Sequence, residues 1–143
     1  METKVDTTAA PFTGTIRTFT TGATRDQDET KDDPEGFISP LVLDRFNQYM
    51  TRHRQQSNGA LRASDNWQKG IPIDAYMKSG WRHFHTWWLH HRGYGYALRS
   101  ESLEEALCGL LFNVQGYLHE LLKTKIPQAP QGPQVPTTEG YTR

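Results

Sequence analysis

The amino-acid sequence predicts an all-α protein, a small bundle of three main helices completed by homo-oligomerisation, with flexible N- and C-terminal tails. Three segments repeat apolar residues at steps of three and four, and no segment alternates apolar and polar residues with a period of two. The length of 143 residues fits a single domain. We expect a flexible segment over 1–15, the all-α domain over 16–123 and a flexible Pro/Gln-rich tail over 124–143.

The composition excludes several classes of protein. The chain has 16 Lys and Arg residues against 16 Asp and Glu residues, so duplex nucleic acid is not an expected partner. A single cysteine allows neither an intramolecular disulfide nor a cysteine-based zinc site. No apolar run approaches the roughly 20 residues that span a bilayer, so we expect no membrane partner. These features favour a small intracellular protein.

The first helix is predicted to open at Ser39-Pro40, a capping residue followed by proline at the first helical position. Its residues at helical spacing are Val42, Leu43, Phe46, Tyr49, Met50 and His53. The run 57–59, Ser-Asn-Gly, marks its expected end.

The second helix should run from about Ile71-Pro72 to Arg92, where the Gly-Tyr-Gly run 93–95 stops it. Its expected buried stripe comprises Ile73, Tyr76, Met77, Gly80, Trp81, Phe84, Trp87 and Trp88. The third helix opens with a capping box formed by Ser102 and Glu105. Its periodic residues are Leu103, Ala106, Leu107, Leu110, Leu111, Val114, Leu118, Leu121 and Leu122.

The second helix carries more large aromatic side chains than one small bundle can bury, since a helix stripe covers little more than a third of the surface. We therefore expect a second subunit to cover some of them. The alternative is that Trp87 and Trp88 pack under the irregular loops of the same chain.

Two stretches outside the helices could contact a nucleotide. A glycine turn over 21–26 could set Arg25 against a phosphate, or it could be a solvated charge run. Directly before the second helix, Trp67 could stack on a base while Asn66 bonds its edge, with Lys69 nearby. The alternative is a loop tryptophan folded onto the core.

The second helix also presents a column of charged residues, Asp74, Lys78, Arg82 and His85, at helical spacing. Arg82 as a forked donor and Lys78 as a point charge could clamp a polyphosphate. On spacing alone, an ordinary exposed face with an Asp74–Lys78 pair is favoured.

Three carboxylates, Glu101, Glu104 and Glu105, gather at the start of the third helix. Clustered carboxylates bind divalent cations such as Mg²⁺, which bridge substrate phosphates. Acidic residues in a first helical turn also favour the helix dipole, and Glu105 closes the capping box. Both interpretations stay open from the residues alone.

Taken together, these stretches resemble a family found mostly in phages, the dATP/dGTP diphosphohydrolase-like proteins, related to the all-α NTP pyrophosphohydrolases of the MazG type. The resemblance covers about residues 19–123. The stretches that carry it are, in order, Thr21–Asp26, Ile38–Pro40, Asp65–Pro72, Ser79–His83 and Leu103–Asn113.

The resemblance implies an α-helical oligomer in the cytoplasm of an infected bacterium. It would hydrolyse a (d)NTP, a purine deoxynucleoside triphosphate above all, to the monophosphate and pyrophosphate with Mg²⁺ or Mn²⁺. The implied catalytic and metal-binding residues are Glu101, Glu104 and Glu105. The implied substrate-binding residues are Arg82, Lys78, His85, Asn66, Trp67, Lys69 and Arg25.

The sequence departs from this family at two places. The first helix offers only Asp44 as a carboxylate, where the family has several glutamates, and Gly109 stands where the family has an acid or amide. Two alternatives to the enzyme therefore stay open. One is a phage protein that binds a nucleotide without cleaving it, and the other is an oligomeric structural phage protein.

Overall fold

The computed structural model describes residues 14–28 and 30–127. Most of the flexible segment expected over 1–15 and of the tail expected over 124–143 lies outside the described residues, although Thr15 begins a strand. The chain divides into two compact units, one ending at Pro40 and one beginning at Leu41.

The first unit contains a β-hairpin that the sequence analysis did not predict. Strand β1, Thr15–Thr18, pairs antiparallel with β2, Thr24–Gln27, around a turn in which Gly22 takes a φ of +84°. Both strands are exposed along their length, so neither needs the apolar alternation that reveals a half-buried strand. The expectation of a purely α-helical chain is therefore wrong in this unit. A short helix, α1, Pro34–Phe37, follows.

The second unit is helical and confirms the mostly helical character of the chain. Its helices are α2 (Pro40–Arg52), α3 (Ile73–His91), α4 (Gly95–Leu98) and α5 (Leu103–Lys123). A 3₁₀ turn, Asn66–Lys69, precedes α3. No helix in the described ranges is long and apolar enough to span a membrane.

Helices α3 and α5 make the most extensive contact in this unit, and glycines allow their close approach. The buried ring of Tyr76 lies where a Cβ on Gly116 would stand. Seven residues further along α3, the His83 ring lies 2.5 Å from the position of a Cβ on Gly109. Gly109, which replaces the acid or amide that the resemblance implies, thus makes room for an imidazole.

The buried core of the second unit is small. Phe46 and Tyr49 of α2 pack with Cys108 of α5, and Met50 and Phe112 adjoin them. The rest of the chain leaves many large apolar side chains exposed.

The aromatic stripe of α3 is not buried as predicted. Tyr76 is 2% exposed, whereas Trp81 is 64% exposed. Trp87 and Trp88 are also exposed, so the described residues do not cover them with a loop. The reason is that α3 packs on α5 through Tyr76, Gly80 and His83, which leaves the tryptophans on a neighbouring face.

Candidate functional site

A pocket of about 390 Å³ lies in the second unit, where α2, the segment that follows it, α3 and α5 meet. This volume falls within the usual range for small-molecule sites. The lining residues are Tyr49, Met50, His53, Arg54, Gln55, Arg62, Ala63, Ser64, Asn66, Trp67, Ile71, Ser79, His83, Phe112 and Asn113.

The pocket is lined by basic side chains and by no acidic ones. Two arginines and two histidines line it, and none of its lining residues is an aspartate or glutamate. Arg54 and Arg62 contact no carboxylate in the described part of the chain. Such a pocket favours an anionic ligand, because two guanidinium forks suit the oxygens of a phosphate.

A small hairpin turn brings the two arginines together. Gln55 and Leu61 form an antiparallel bridge closed by a turn with Gly59 at a φ of +82°. Beside this bridge, the Arg62 N–H donates to the Arg54 carbonyl at 3.0 Å, and Arg54 Nε donates to the Arg62 carbonyl at 2.9 Å. A hydrogen bond to the backbone therefore fixes the Arg54 guanidinium, and the backbone of Arg62 lies beside that of Arg54.

Aromatic rings form the other part of the pocket wall. Trp67 meets Phe112 edge-on at 6.3 Å between ring centroids and His119 at 4.8 Å. Tyr49 lies 3.9 Å from the His53 ring, and burial raises the pKa of Tyr49 to about 12. At neutral pH Tyr49 is therefore protonated, so the pocket combines flat apolar surface with a neutral hydroxyl.

The structure brings only part of the predicted substrate site together. Asn66 and Trp67 both line the pocket, and Trp67 is half-buried against α5. Lys69 ends the 3₁₀ turn, is exposed and lies outside the lining. Arg25 belongs to the hairpin of the first unit, where it faces Arg17 across the two strands.

The charged column of α3 lies outside the pocket. Lys78, Arg82 and His85 are exposed, and Arg82 donates to Ser79 Oγ at 3.3 Å. Arg82 and His85 line a separate shallow cavity of about 290 Å³ beside exposed tryptophans. The polyphosphate clamp predicted for this column and the base platform predicted at Trp67 thus occupy different surfaces.

The three predicted metal ligands pair with basic side chains. Arg45 donates to Glu104 and to Glu105, each at 2.7 Å, and Arg52 also donates to Glu105. Glu101 lies before α5 and contacts His83. Among the described residues, no group of three or more His, Cys, Asp or Glu side chains is arranged to hold a metal ion. A divalent cation at Glu105 would have to displace two guanidinium groups.

The capping box of α5 forms only in part. Ser102 Oγ accepts from the Glu105 N–H at 3.2 Å, as predicted. The Glu105 carboxylate, however, accepts from Arg45 and Arg52 of α2. Helix α2 therefore supplies both of the arginines that donate to Glu105.

Acid should weaken the link between α2 and α5. Partial burial raises the pKa of Glu105, but the hydrogen bond from Arg45 and the charges of Arg52 and Arg45 lower it by more, to below its ordinary 4.5. A carboxylate with a lowered pKa stabilises the fold above its unfolded pKa, and this contribution disappears as the pH falls through the folded pKa.

Glu105→Gln should therefore cost about 1 kcal/mol at pH 7, where the wild-type pair is intact, and much less at pH 3. Thermal denaturation of both proteins across this pH range measures the difference. Glu104→Gln is the control, because Glu104 is 71% exposed and should contribute below about 0.5 kcal/mol. An equal loss at both pH values would contradict a role for the ionised carboxylate.

Comparisons with protein-family models, with curated proteins and with solved structures found no match to this chain.

Sequence reasoning missed Arg54, Arg62, His53 and His83 as pocket residues. One signal was present for the arginines. The dipeptide Asn58-Gly59 is a strong hairpin signal, and a hairpin centred there sets Arg54 opposite Arg62. No comparable local signal marks His53 or His83: His53 directly follows α2, and His83 reaches the pocket through the packing of α3.

Proposed function

We propose that this protein binds a nucleotide in the pocket between α2, α3 and α5. The observation that carries the proposal is one cavity that combines aromatic rings with two arginines that form no ion pair among the described residues, and whose lining has no carboxylate. The base would lie against Trp67, with the Asn66 amide at its edge, and the phosphates would meet Arg54 and Arg62. A purine deoxynucleoside triphosphate is the ligand that the family resemblance favours.

A second candidate is the (d)NTP pyrophosphohydrolase, with Mg²⁺ or Mn²⁺ held by Glu101, Glu104 and Glu105. Its support is the resemblance to the phage family, which also suggests the cytoplasm of an infected bacterium. One contact favours it, since Glu101 touches His83, a residue of the pocket wall. Binding without cleavage needs fewer rearrangements, because Glu104 and Glu105 already pair with arginines.

We also propose that the protein is a homo-oligomer. A groove of about 480 Å³ with almost wholly apolar walls runs along the outer side of α3 and α5, and we name it the apolar face. Its residues are Tyr76, Met77, Gly80, Trp81, Phe84, Leu110, Asn113, Val114, Tyr117, Leu118 and Leu121. A contiguous apolar surface of this kind typically marks an interface, and a second copy of the two helices would complete a four-helix bundle.

Trp67→Ala should weaken nucleotide binding by about tenfold or more, because base–aromatic stacking contributes about 1–3 kcal/mol per base. Isothermal titration calorimetry with dATP, dGTP and the ribonucleotides, in EDTA, measures the affinity without metal chemistry. Trp88→Ala is the matched control, since Trp88 is exposed and does not line the pocket.

Arg54→Gln combined with Arg62→Gln should weaken triphosphate binding more than nucleoside binding, because only the triphosphate presents charge to the two guanidinium groups. If none of these nucleotides binds the wild-type protein, the proposal is wrong. Equal affinity of wild type and Trp67→Ala would exclude Trp67 as the base platform.

A further inference from the structure

A cluster of basic and aromatic side chains lies on α3 outside the pocket. Arg82, His85 and Trp88 line the shallow cavity of about 290 Å³ described above. Arg99, which follows α4, joins them, because its Nη2 atom lies 3.5 Å from His85 Nδ1. We name these four residues the α3 cluster. All four are exposed, and none lines the pocket that contains Trp67.

The α3 cluster carries positive charge that no carboxylate of the described residues neutralises. Neither Arg82 nor Arg99 forms an ion pair within the described ranges. The charge extends along the chain, since residues 75–100 contain three arginines and one lysine but no aspartate or glutamate. The balanced charge of the whole chain therefore conceals a basic stretch, and such a stretch attracts phosphate groups.

Hydrogen bonds hold both guanidinium groups of the cluster in place. Arg82 donates to Ser79 Oγ at 3.3 Å, and Arg99 Nη1 donates to the Leu98 carbonyl at 2.9 Å. These bonds use only part of the five N–H donors that each guanidinium carries, so donors remain for an anion. Two forked cations at fixed positions suit phosphate groups.

An exposed aromatic ring lies beside these cations. Trp88 is 53% exposed, and its ring centroid lies 6.4 Å from that of His85. A tryptophan ring can stack on any unpaired base, because every base has a π-face, while neighbouring cations follow the phosphate backbone. A duplex keeps the faces of its bases inside the stack, and a fluid layer of lipid head groups presents no flat ring, so a single strand fits this arrangement best.

We propose that the α3 cluster binds single-stranded nucleic acid, with phosphates on Arg82 and Arg99 and a base on Trp88. Trp81 and Phe84 also line the cavity, but they belong to the apolar face, so the proposal depends only on the four residues of the cluster. The site is separate from the pocket and does not require nucleotide binding there.

The test is fluorescence anisotropy of the full chain with a labelled oligothymidylate of about 12 nucleotides, measured over a series of salt concentrations. Wild type should bind, and log K should fall with log[salt] with a slope of about −1.4 or steeper, because each neutralised phosphate of a single strand contributes about −0.7.

Arg82→Gln combined with Arg99→Gln should reduce that slope by about 1.4 and the affinity at low salt by about tenfold or more. The control is Lys31→Gln combined with Lys125→Gln, which removes the same charge from exposed residues outside the cluster and should leave slope and affinity unchanged. Circular dichroism checks that both double variants fold. A merely structural role of the arginines would lower the melting temperature without changing the slope.

A second ligand tests the stacking. An abasic strand of the same length has the same phosphates, so it should bind about tenfold more weakly than oligothymidylate with the same salt slope. Equal affinity for the two strands overturns the proposal, because charge alone would then explain binding. It is also overturned if wild type binds no oligothymidylate, if the arginine variant keeps the wild-type slope, or if wild type binds phosphatidylglycerol vesicles or duplex DNA instead. None of these results bears on nucleotide binding in the pocket.

Discussion

Gly116→Ala should destabilise the protein by about 3 kcal/mol, whereas Gly80→Ala should stabilise it by up to about 1 kcal/mol. Both glycines lie inside long helices, so helix propensity favours alanine at each. The difference comes from what the new methyl group meets. At Gly116 it would collide with the buried ring of Tyr76, while at Gly80 it would stand 3.6 Å from Asn113 Cβ, an ordinary contact.

The collision at Gly116 cannot be relieved cheaply. Tyr76 is the largest fully buried side chain of the described residues, so a shift of its ring disturbs the packing of α3 on α5. Urea denaturation of the two variants and wild type gives the free energies of unfolding. Equal stability of the two variants would show that the close contact between Tyr76 and Gly116 is absent in solution.

In the proposed homo-oligomer, Leu118→Glu should weaken self-association by about 100-fold or more and so yield a monomer. Leu118 belongs to the apolar face and is half exposed in the single chain, so the variant should still fold. In the oligomer its carboxylate would be buried without a partner, which costs several kcal/mol.

Light scattering coupled to size-exclusion chromatography measures the mass of each species. The control is Gln115→Glu, which adds the same side chain to α5 outside the apolar face and should leave the oligomer intact. A wild-type mass of 16.4 kDa at micromolar concentration would exclude the oligomer.

The three main helices could be predicted because their signals are local. Ser102 caps α5 by accepting a hydrogen bond from the N–H of Glu105, three positions along the chain. Gly93, with a φ of +84°, follows the end of α3. The hairpin of the first unit could not be predicted from alternation, because its strands bury neither face. Helix α2 ends at Arg52, before the predicted end at 57–59. The residues that follow it form the turn that carries Arg54 and Arg62.

The candidate site was predicted only where its residues are neighbours in sequence, as Asn66 and Trp67 are. The partners of Glu105 are Arg45 and Arg52, more than fifty positions away, and no periodicity reveals them. The same holds for Glu101 and His83, which meet because α3 and α5 run side by side. Roles that depend on tertiary pairing therefore had to come from the structure.

The glycine contacts between α3 and α5 also set the axial register of these helices. Tyr76 and His83 are seven residues apart on one helix, and Gly116 and Gly109 are seven apart on the other, so both rings are accommodated at the same alignment. A slip of one turn, about 5.4 Å, would bring Phe112, which now meets the Tyr76 ring edge-on, to the place of Gly116, where the ring leaves no room for a side chain. The wall that α3 and α5 contribute to the pocket is therefore fixed along the helix axes.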